Sequence, residues 1–376
     1  MSDDFRQRWA WAEVSRAAIS HNVRHIAERV QPASVWAVVK ANGYGHGSVE
    51  VAYAALAGGA TALCVALAEE GIILRRAGID APILIMSEQP AAQADDIVAN
   101  QLTATVCTRE GVDALAYAAH RIGMALPVHI KIDTGMHRVG VQPADAVALA
   151  NHVAATSSLV LHGVYTHFAT ADDPSHPATT AQLTAFSAVC KQLAEAGHHP
   201  AHVHMANSAA ALTRDDARGT AVRIGIAMYG LLPSRDVAAA CEGLEPALSL
   251  RARVSAVRWV EAGEAVSYGL RRPSSSRRLV ATIPLGYADG VPRRLWESAT
   301  AVLIHGVARP LCGTVTMDQI MVDCGTDMSV QVGDEVVLIG SQGDSTVTAD
   351  DWAAACGTIG YEIVCGISSR IARTYR

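Results

Sequence analysis

No Cys-x-x-Cys pair occurs in this chain, and its eight cysteines (64, 107, 190, 241, 312, 324, 356 and 365) are scattered. That spacing indicates neither a zinc knuckle nor a disulfide framework. No basic block stands out and the net charge is −6, which argues against nucleic acid as a partner. No uninterrupted apolar run reaches transmembrane length. The opening MSDDFRQRWAWAEV carries acids where a secretory leader has its basic region, and no apolar stretch follows. There is no repeat of solenoid length and no low-complexity tract. Together these absences lead to the expectation of a soluble, reduced, cytoplasmic protein with no membrane or nucleic-acid partner. What the chain has is core material: 50% of its 376 residues are hydrophobic, and that length suggests two domains.

Short β-rich runs recur at 35–41, 62–67, 83–86, 103–106, 128–133, 161–168, 202–208 and 222–230, with alanine-rich helical stretches such as 181–197 between them. Alternating strands and helices imply a parallel sheet, and eight such units imply an N-terminal (β/α)8 TIM-type barrel. An open doubly wound sheet is the alternative. Near 240 the pattern changes to closely spaced strands split by Gly, Asp and Pro turns, with little helix, so 241–376 reads as a mostly-β domain. The barrel is assigned to 1–240, with the first 14 or so residues free to pair with the β domain. RRPSSSRR (271–278) reads as a mobile loop.

In a barrel, side chains at the carboxyl ends of the strands form the active site. The stretch AVVKANGYGHG (37–47) ends an apolar run on Lys40. A lysine in apolar surroundings has its charged form disfavoured, and a neutral amine is a nucleophile; a lysine at a strand end can equally reach out to water. Lys131, Arg138, His167, Asn207, Ser208, Arg223, Gly225 and Ile226 fall at later strand ends. Ser208 and the Gly225–Ile226 turn suit a phosphate group. A lysine and a phosphate pocket on one barrel match what a pyridoxal phosphate enzyme needs.

On these residues the sequence resembles the alanine racemase family of fold-type III pyridoxal phosphate enzymes. The resemblance runs nearly end to end, through AVVKANGYGHG, HIKIDTGMHRVG (129–140), THFATAD (166–172), HMANSAA (204–210), VRIGIAMYG (222–230), AVSYGL (265–270), GYADGVPRRL (286–295), GTVTMDQIMVD (313–323) and GTIGYE (357–362). It implies that Lys40 binds the cofactor and that Tyr44 hydrogen-bonds its phosphate.

A racemase removes a proton from one face of the α-carbon and returns one to the other, which asks for two acid–base groups. The resemblance implies that these are Lys40 and Tyr268. His167 and Arg223 resemble the network that polarises the tyrosine. Arg223 also matches the residue facing the pyridine nitrogen; an arginine only donates, so that nitrogen must accept. Arg138 resembles the arginine near the cofactor's phenolic oxygen and the substrate carboxylate. Lys131 matches a lysine carbamylated in many members. Met317, Asp318 and Tyr287 match residues near the substrate, Tyr361 a residue lining the site, and Asp172, Arg293 and Ile359 residues of an entry corridor. Asp289 reads equally well as a turn residue. His202 and His204 share a strand face, but two histidines without a third ligand are weak grounds for a metal, and none is expected. The resemblance further implies a homodimer in which Tyr268 and Met317 reach the partner's site, and a small amino acid as substrate.

The sequence departs from the family pattern at Ile224 (commonly proline), His137 (commonly glycine), Thr316 (commonly cysteine) and the basic run after Gly269. The reading is pyridoxal phosphate-dependent racemisation of alanine, supplying D-alanine for the cell wall. Racemisation of another or broader set of amino acids, such as serine, stays open. Arg223 argues against a decarboxylase of the same fold, and the β domain against a non-catalytic cofactor carrier.

Overall fold

In the computed structural model, which describes residues 8–376, the chain divides into two compact units. One unit holds residues 17–43 and 47–245. The other holds the described residues up to 16, together with 44–46 and 246–376.

The first unit is built on eight parallel strands: Ser34–Val38, Ala62–Val65, Ile83–Ile85, Ala104–Val106, Leu126–Lys131, Leu159–Tyr165, His202–His204 and Ala221–Ile224. The first pairs with the last, with Trp36 opposite Arg223. A parallel bridge between Leu84 and Thr103 joins the remaining two edges, so the sheet closes into a barrel. Helices follow the strands and turn apolar stripes inward. In Arg109–Ile122, Val112, Leu115, Ala118 and Ala119 are buried at helical spacing. Thr108 caps that helix by accepting the Gly111 N–H, and Gly123 ends it at a left-handed φ of 74°.

The strands stop earlier than the sequence suggests. The run read as 35–41 ends at Val38, and Ala41, Asn42, Gly43 and Tyr44 take φ of 52°, 52°, 61° and 51°. His167 lies beyond the strand end at Tyr165. Asn207 and Ser208 are not strand residues: Asn207 caps the helix Ser208–Thr213 by accepting the Ala210 N–H at 3.1 Å. Gly225 follows the strand Ala221–Ile224, and Ile226 opens a single 3-10 turn. Residues that leave a ladder at its carboxyl end keep the same apolar company in sequence, so composition alone overshoots the strand.

In the second unit, Ala10–Val14 is an interior strand, antiparallel to Leu248–Arg253 and parallel to Ala372–Tyr375. Residues 1–7 of the segment discussed above lie outside the described residues. The sheet continues through Glu335–Gln342, Ala301–Ile304 and Val307–Pro310. A separate three-stranded sheet is formed by Ala256–Val260, Arg278–Ile283 and Ile320–Asp323. Two helices, Ala349–Cys356 and Gly360–Cys365, complete this unit. The segment 271–278, read as a mobile loop, makes side-chain contacts with its surroundings. Arg277 lies 4.3 Å from the Trp259 ring and pairs with Glu261 at 2.9 Å, Arg272 lies 4.7 Å from the Trp296 ring, and Ser274 is buried.

Candidate active site

The strand carboxyl ends of the barrel gather cations. Lys131 ends its strand buried at 6% exposure, with Nζ 3.4 Å from the Met86 carbonyl and 5.6 Å from the centre of the Tyr165 ring. Burial, and then the charges of Arg138 and Arg223, bring its pKa down to about 8. Lys40, two residues past its strand, belongs to the same constellation: its charge is felt at Lys131, at His167 and at the buried Cys64. Cys64 itself is pushed up to about 12 by burial.

Arg223 is almost wholly buried at 2% exposure. Its Nη1 donates to His204 Nδ1 at 2.7 Å, and its Nη2 to the Thr166 and Met205 carbonyls at 2.8 and 3.1 Å and to His167 Nδ1 at 3.3 Å. The guanidinium also lies 5.1 Å from the Tyr165 ring centre. Arginine has no acceptor, so both imidazoles accept from it and carry their protons on Nε2. Burial, followed by the Arg223 charge, holds the pKa of each well below the ordinary histidine value, so both are neutral.

Below this layer the barrel interior carries rings that the sequence reading left without a role. His204 Nε2 is 2.9 Å from His129 Nδ1, and Trp36 packs against His129, His202 and His204. Tyr165 stacks on His204 at 4.7 Å and donates to the Met86 carbonyl at 2.7 Å. The signal was available for the histidines: His129 lies two residues before Lys131 and His202 two before His204, so each pair shares a strand face. His204 uses both ring nitrogens on Arg223 and His129. Among the described residues no group of three or more His, Cys, Asp or Glu is arranged to hold a metal ion.

The loop after Lys131 is shaped by Asp133, which accepts the N–H groups of Gly135 and His137, each at 3.0 Å. His137 takes φ 54°, a conformation glycine adopts at lower cost, which explains the common glycine at this position; nothing in the structure explains the histidine. Gly140 cannot be replaced freely: a Cβ there would sit 2.6 Å from the Asp133 nitrogen. Arg138 is exposed on this loop. At the ends of the last two strands, Ser208 Oγ accepts the N–H of Gly225 at 3.0 Å and of Ala227 at 3.4 Å, so Asn207, Ser208, Gly225 and Ile226 form one corner.

The remaining candidates fall in the second unit. Tyr268 is 74% exposed, at the edge of a cavity of about 970 Å³. Tyr287 and Met317 are exposed and joined through backbone: Tyr287 N–H donates to the Thr316 carbonyl at 2.9 Å and Ala288 N–H to that of Met317 at 3.0 Å. Asp318 pairs with Arg370 at 2.7 Å. Tyr44 and Tyr361 face each other with ring centres 6.1 Å apart. Ile359, Arg293 and Asp172 are exposed. Asp289 is more than a turn residue: it is fully buried and takes a two-pronged ion pair from Arg8 at 2.5 and 2.6 Å.

The chain matches the family models for the alanine racemase N-terminal domain over residues 14–233 and the alanine racemase C-terminal domain over 247–375. It is 46% identical to the alanine racemase of Symbiobacterium thermophilum, over 98% of this chain and 97% of that one. The crystal structure of alanine racemase from Bacillus anthracis with bound L-Ala-P superposes with a TM-score of 0.92 at 40% identity, covering 98% and 95% of the two chains. A histidine racemase from Leuconostoc mesenteroides shares the fold at TM-score 0.91 and 30% identity, covering 99% of each chain.

Proposed function

Since the chain belongs to the alanine racemase family, we propose that it is an isomerase that interconverts L- and D-alanine with pyridoxal 5′-phosphate held on Lys40. The residues at the barrel mouth fit that group. Its three chemical demands are an amine, a phosphate corner and a partner for the ring nitrogen. Lys40 offers the first, the Asn207–Ser208–Gly225–Ile226 corner the second, and Arg223 the third; Tyr44 is assigned to the phosphate by family resemblance alone. When bound, the cofactor draws electron density from the α-carbon of an amino acid and so acidifies its proton.

The observation that carries this reading is the setting of Arg223. A buried guanidinium whose neighbours are neutral imidazoles and carbonyls can only donate. It therefore offers the pyridine nitrogen a hydrogen bond and no proton-holding carboxylate, a choice that suits proton return over side reactions such as transamination. Lys40 is assigned the proton on one face and Tyr268 the proton on the other. An ordinary tyrosine has a pKa of about 10, so it needs help to act as a base, and His167 and Arg223 are assigned that polarising role. Arg138, Met317, Asp318 and Tyr287 are assigned to the substrate, Tyr361 and Arg138 to the cofactor surroundings.

Lys131 is the proposed carbamylated lysine. A carbamate forms from a neutral amine, and a pKa of about 8 leaves part of this one neutral near pH 8. The product would be an anion beside the Arg138 and Arg223 charges that now oppose Lys131. The working form is proposed as a two-fold homodimer with Tyr268 and Met317 serving the partner's site, in the cytoplasm, supplying D-alanine for peptidoglycan. None of the eight cysteines is in a disulfide, and no described helix is long and apolar enough to cross a membrane.

The test follows the optical activity of L-alanine with cofactor-loaded protein. Decay to zero with D-alanine formed and no pyruvate supports the reading; full retention of rotation with cofactor bound refutes it. A second reading, racemisation of another or broader set of amino acids such as serine, is favoured by the histidine racemase likeness and by the basic segment after Gly269. Turnover of alanine, serine and glutamate in parallel separates the two.

A further inference from the structure

We propose that Thr314 is the positioning residue for Tyr268, acting through the Tyr268 main chain. The inference rests on the reading of Tyr268 as a proton carrier. Tyr268 occupies the second place of a four-residue turn, closed by the Leu270 N–H donating to the Ser267 carbonyl at 3.3 Å. Gly269 stands third with φ 80°, where such a turn asks for glycine. Ser267 and Leu270, on either side, are also left-handed at φ 68° and 42°, and neither is glycine. A turn with this much positive φ persists only when its surroundings over-determine it.

Those surroundings are the segment Gly313–Thr314. Ser267 Oγ donates to the Thr314 carbonyl at 2.6 Å, and Thr314 Oγ1 donates to the Tyr268 carbonyl at 3.0 Å. Thr314 is buried at 3% exposure. The two segments touch so closely that a Cβ on Gly313 would lie 2.7 Å from the Val266 carbonyl oxygen. Within its own chain the Tyr268 side chain is 74% exposed, so its own unit sets its place through the backbone and little through packing. The Thr314 hydroxyl reaches that backbone directly. A base must stand within a fraction of an ångström of its line of attack, and a misplacement of about 1 Å can cost about 100-fold in rate. No electron or proton transfer is assigned to Thr314; it orients.

Thr314→Val keeps the shape and removes the donor, whereas Thr314→Ser keeps the donor. In the holoenzyme, Thr314→Val is expected to lower kcat about 10- to 100-fold with KM changed less than twofold, and Thr314→Ser to restore most of it. Two further readouts separate positioning from a general structural role. Amide hydrogen exchange over 266–270 should quicken in Thr314→Val while the barrel strands keep wild-type protection. In deuterium oxide, one alanine enantiomer should gain α-deuterium faster than it inverts, because only one of two bases is displaced. Should Thr314→Val fail to accumulate, Thr314→Ala reads the same loss with less bulk. Wild-type exchange at 266–270 and an unchanged wash-in ratio in these variants would overturn the proposal. If they are found while Tyr268→Phe is inactive, the proposal alone fails. If Tyr268→Phe racemises alanine at the wild-type rate, the reading of Tyr268 fails and the proposal with it.

Discussion

Arg223 Nη1 donates to His204 Nδ1 across 2.7 Å, and this one bond orders the hydrogens of the barrel interior. His204 must accept at Nδ1, so its proton is on Nε2, from which it donates to His129 Nδ1 at 2.9 Å. The result is a directed chain, from a fixed cation through two neutral rings. Removing the first ring in His204→Leu strands a donor on a buried charge, where a hydrogen bond is worth about 1.5–3 kcal/mol. The expected loss of unfolding free energy in urea is about 2 kcal/mol, and His129→Leu should cost about 1 kcal/mol, as for a neutral bond. Because the rings share one chain, the double variant should cost less than the sum. Strict additivity would show that the rings act independently.

The same rings set an acid limit. His129, His167 and His204 all have folded pKa values well below 6.5, chiefly through burial. Below pH 6.5 the unfolded chain binds protons that the folded chain refuses, so stability is full above that pH and falls as pH drops. His204→Leu should flatten this acid limb. An unchanged slope between pH 6.5 and 5 would contradict the assignment of His204 as neutral.

Lys131 acts with the same sign in a more alkaline window. Its pKa is lowered from 10.5 to about 8, so below pH 8 both states are protonated and the folded state carries the full cost. Between 8 and 10.5 only the unfolded chain holds the proton, and stability contributed at this site rises with pH. At about 1.36 kcal/mol per pKa unit the cost at pH 7 is up to about 3 kcal/mol. Lys131→Met should therefore be more stable than the parent at pH 7 in carbon-dioxide-free buffer, with the gap narrowing between pH 8 and 9. Bicarbonate should narrow it too, by carbamylating only the parent, and intact mass should then show the added carbon dioxide. Parallel profiles for the two proteins would refute the burial argument.

Eight strand–helix units and the change of pattern near 240 were legible because period and composition survive in a single sequence. The strand ends were not. Val39, Met205 and Ala206 are buried yet lie outside any strand, so their apolar character says core and nothing of ladder pairing. Arg223, His167 and Lys131 were picked out through family motifs, and the structure brings them together at the strand ends. His129, Tyr165 and Trp36 were passed over, since an aromatic ring on an inward strand face usually means packing, and only the geometry reveals the bond between His129 and His204 and the ring contacts of Tyr165 and Trp36 around it. The first 14 or so residues were expected to be able to pair with the β domain, but the interior position and register of Ala10–Val14 depend on partners more than 230 residues away, which no local pattern encodes.

Asp289 shows how a turn residue can also be an anchor. Its carboxylate is fully buried, meets Arg8 through both oxygens, lies 3.4 Å from Arg370 Nε and accepts the Gly286 N–H at 3.0 Å. Burial alone would raise its pKa; the Arg8 hydrogen bonds, the Gly286 N–H and the charges of Arg8 and Arg370 together outweigh this and leave it below 3.8. Its stabilising contribution is thus complete above pH 3.8 and is lost as pH falls through the lower folded value. Removing one partner of a buried pair costs about 3–5 kcal/mol, and Arg8 is 30% exposed, so Asp289→Asn should cost about 3 kcal/mol, at the lower end. Arg370 also pairs with Asp318, so the variant should raise KM for alanine as well as lower the urea midpoint. A lowered midpoint with unchanged KM would confine Asp289 to folding.

The basic segment 271–278 poses the question of substrate charge. Three of its guanidiniums lie over indoles: Arg277 at 4.3 Å from Trp259, and Arg272 and Arg271 at 4.7 and 6.0 Å from Trp296. Arg277 is further neutralised by Glu261 at 2.9 Å, and Arg278 by Asp323 at 2.7 Å. Charges held this way act first as staples, and an exposed cation–π contact is worth about 0.5–1 kcal/mol. Arg277→Ala should lower the unfolding free energy by about that amount and leave the relative turnover of alanine, serine and glutamate unchanged. Arg271 and Arg272 lack a carboxylate partner within salt-bridge distance among the described residues, so any help to an acidic substrate comes from them. The double replacement Arg271→Ala, Arg272→Ala should then reduce glutamate turnover relative to alanine if glutamate is accepted at all. Strict preference for alanine in the parent protein would remove the segment from substrate selection and leave it the stapling role alone.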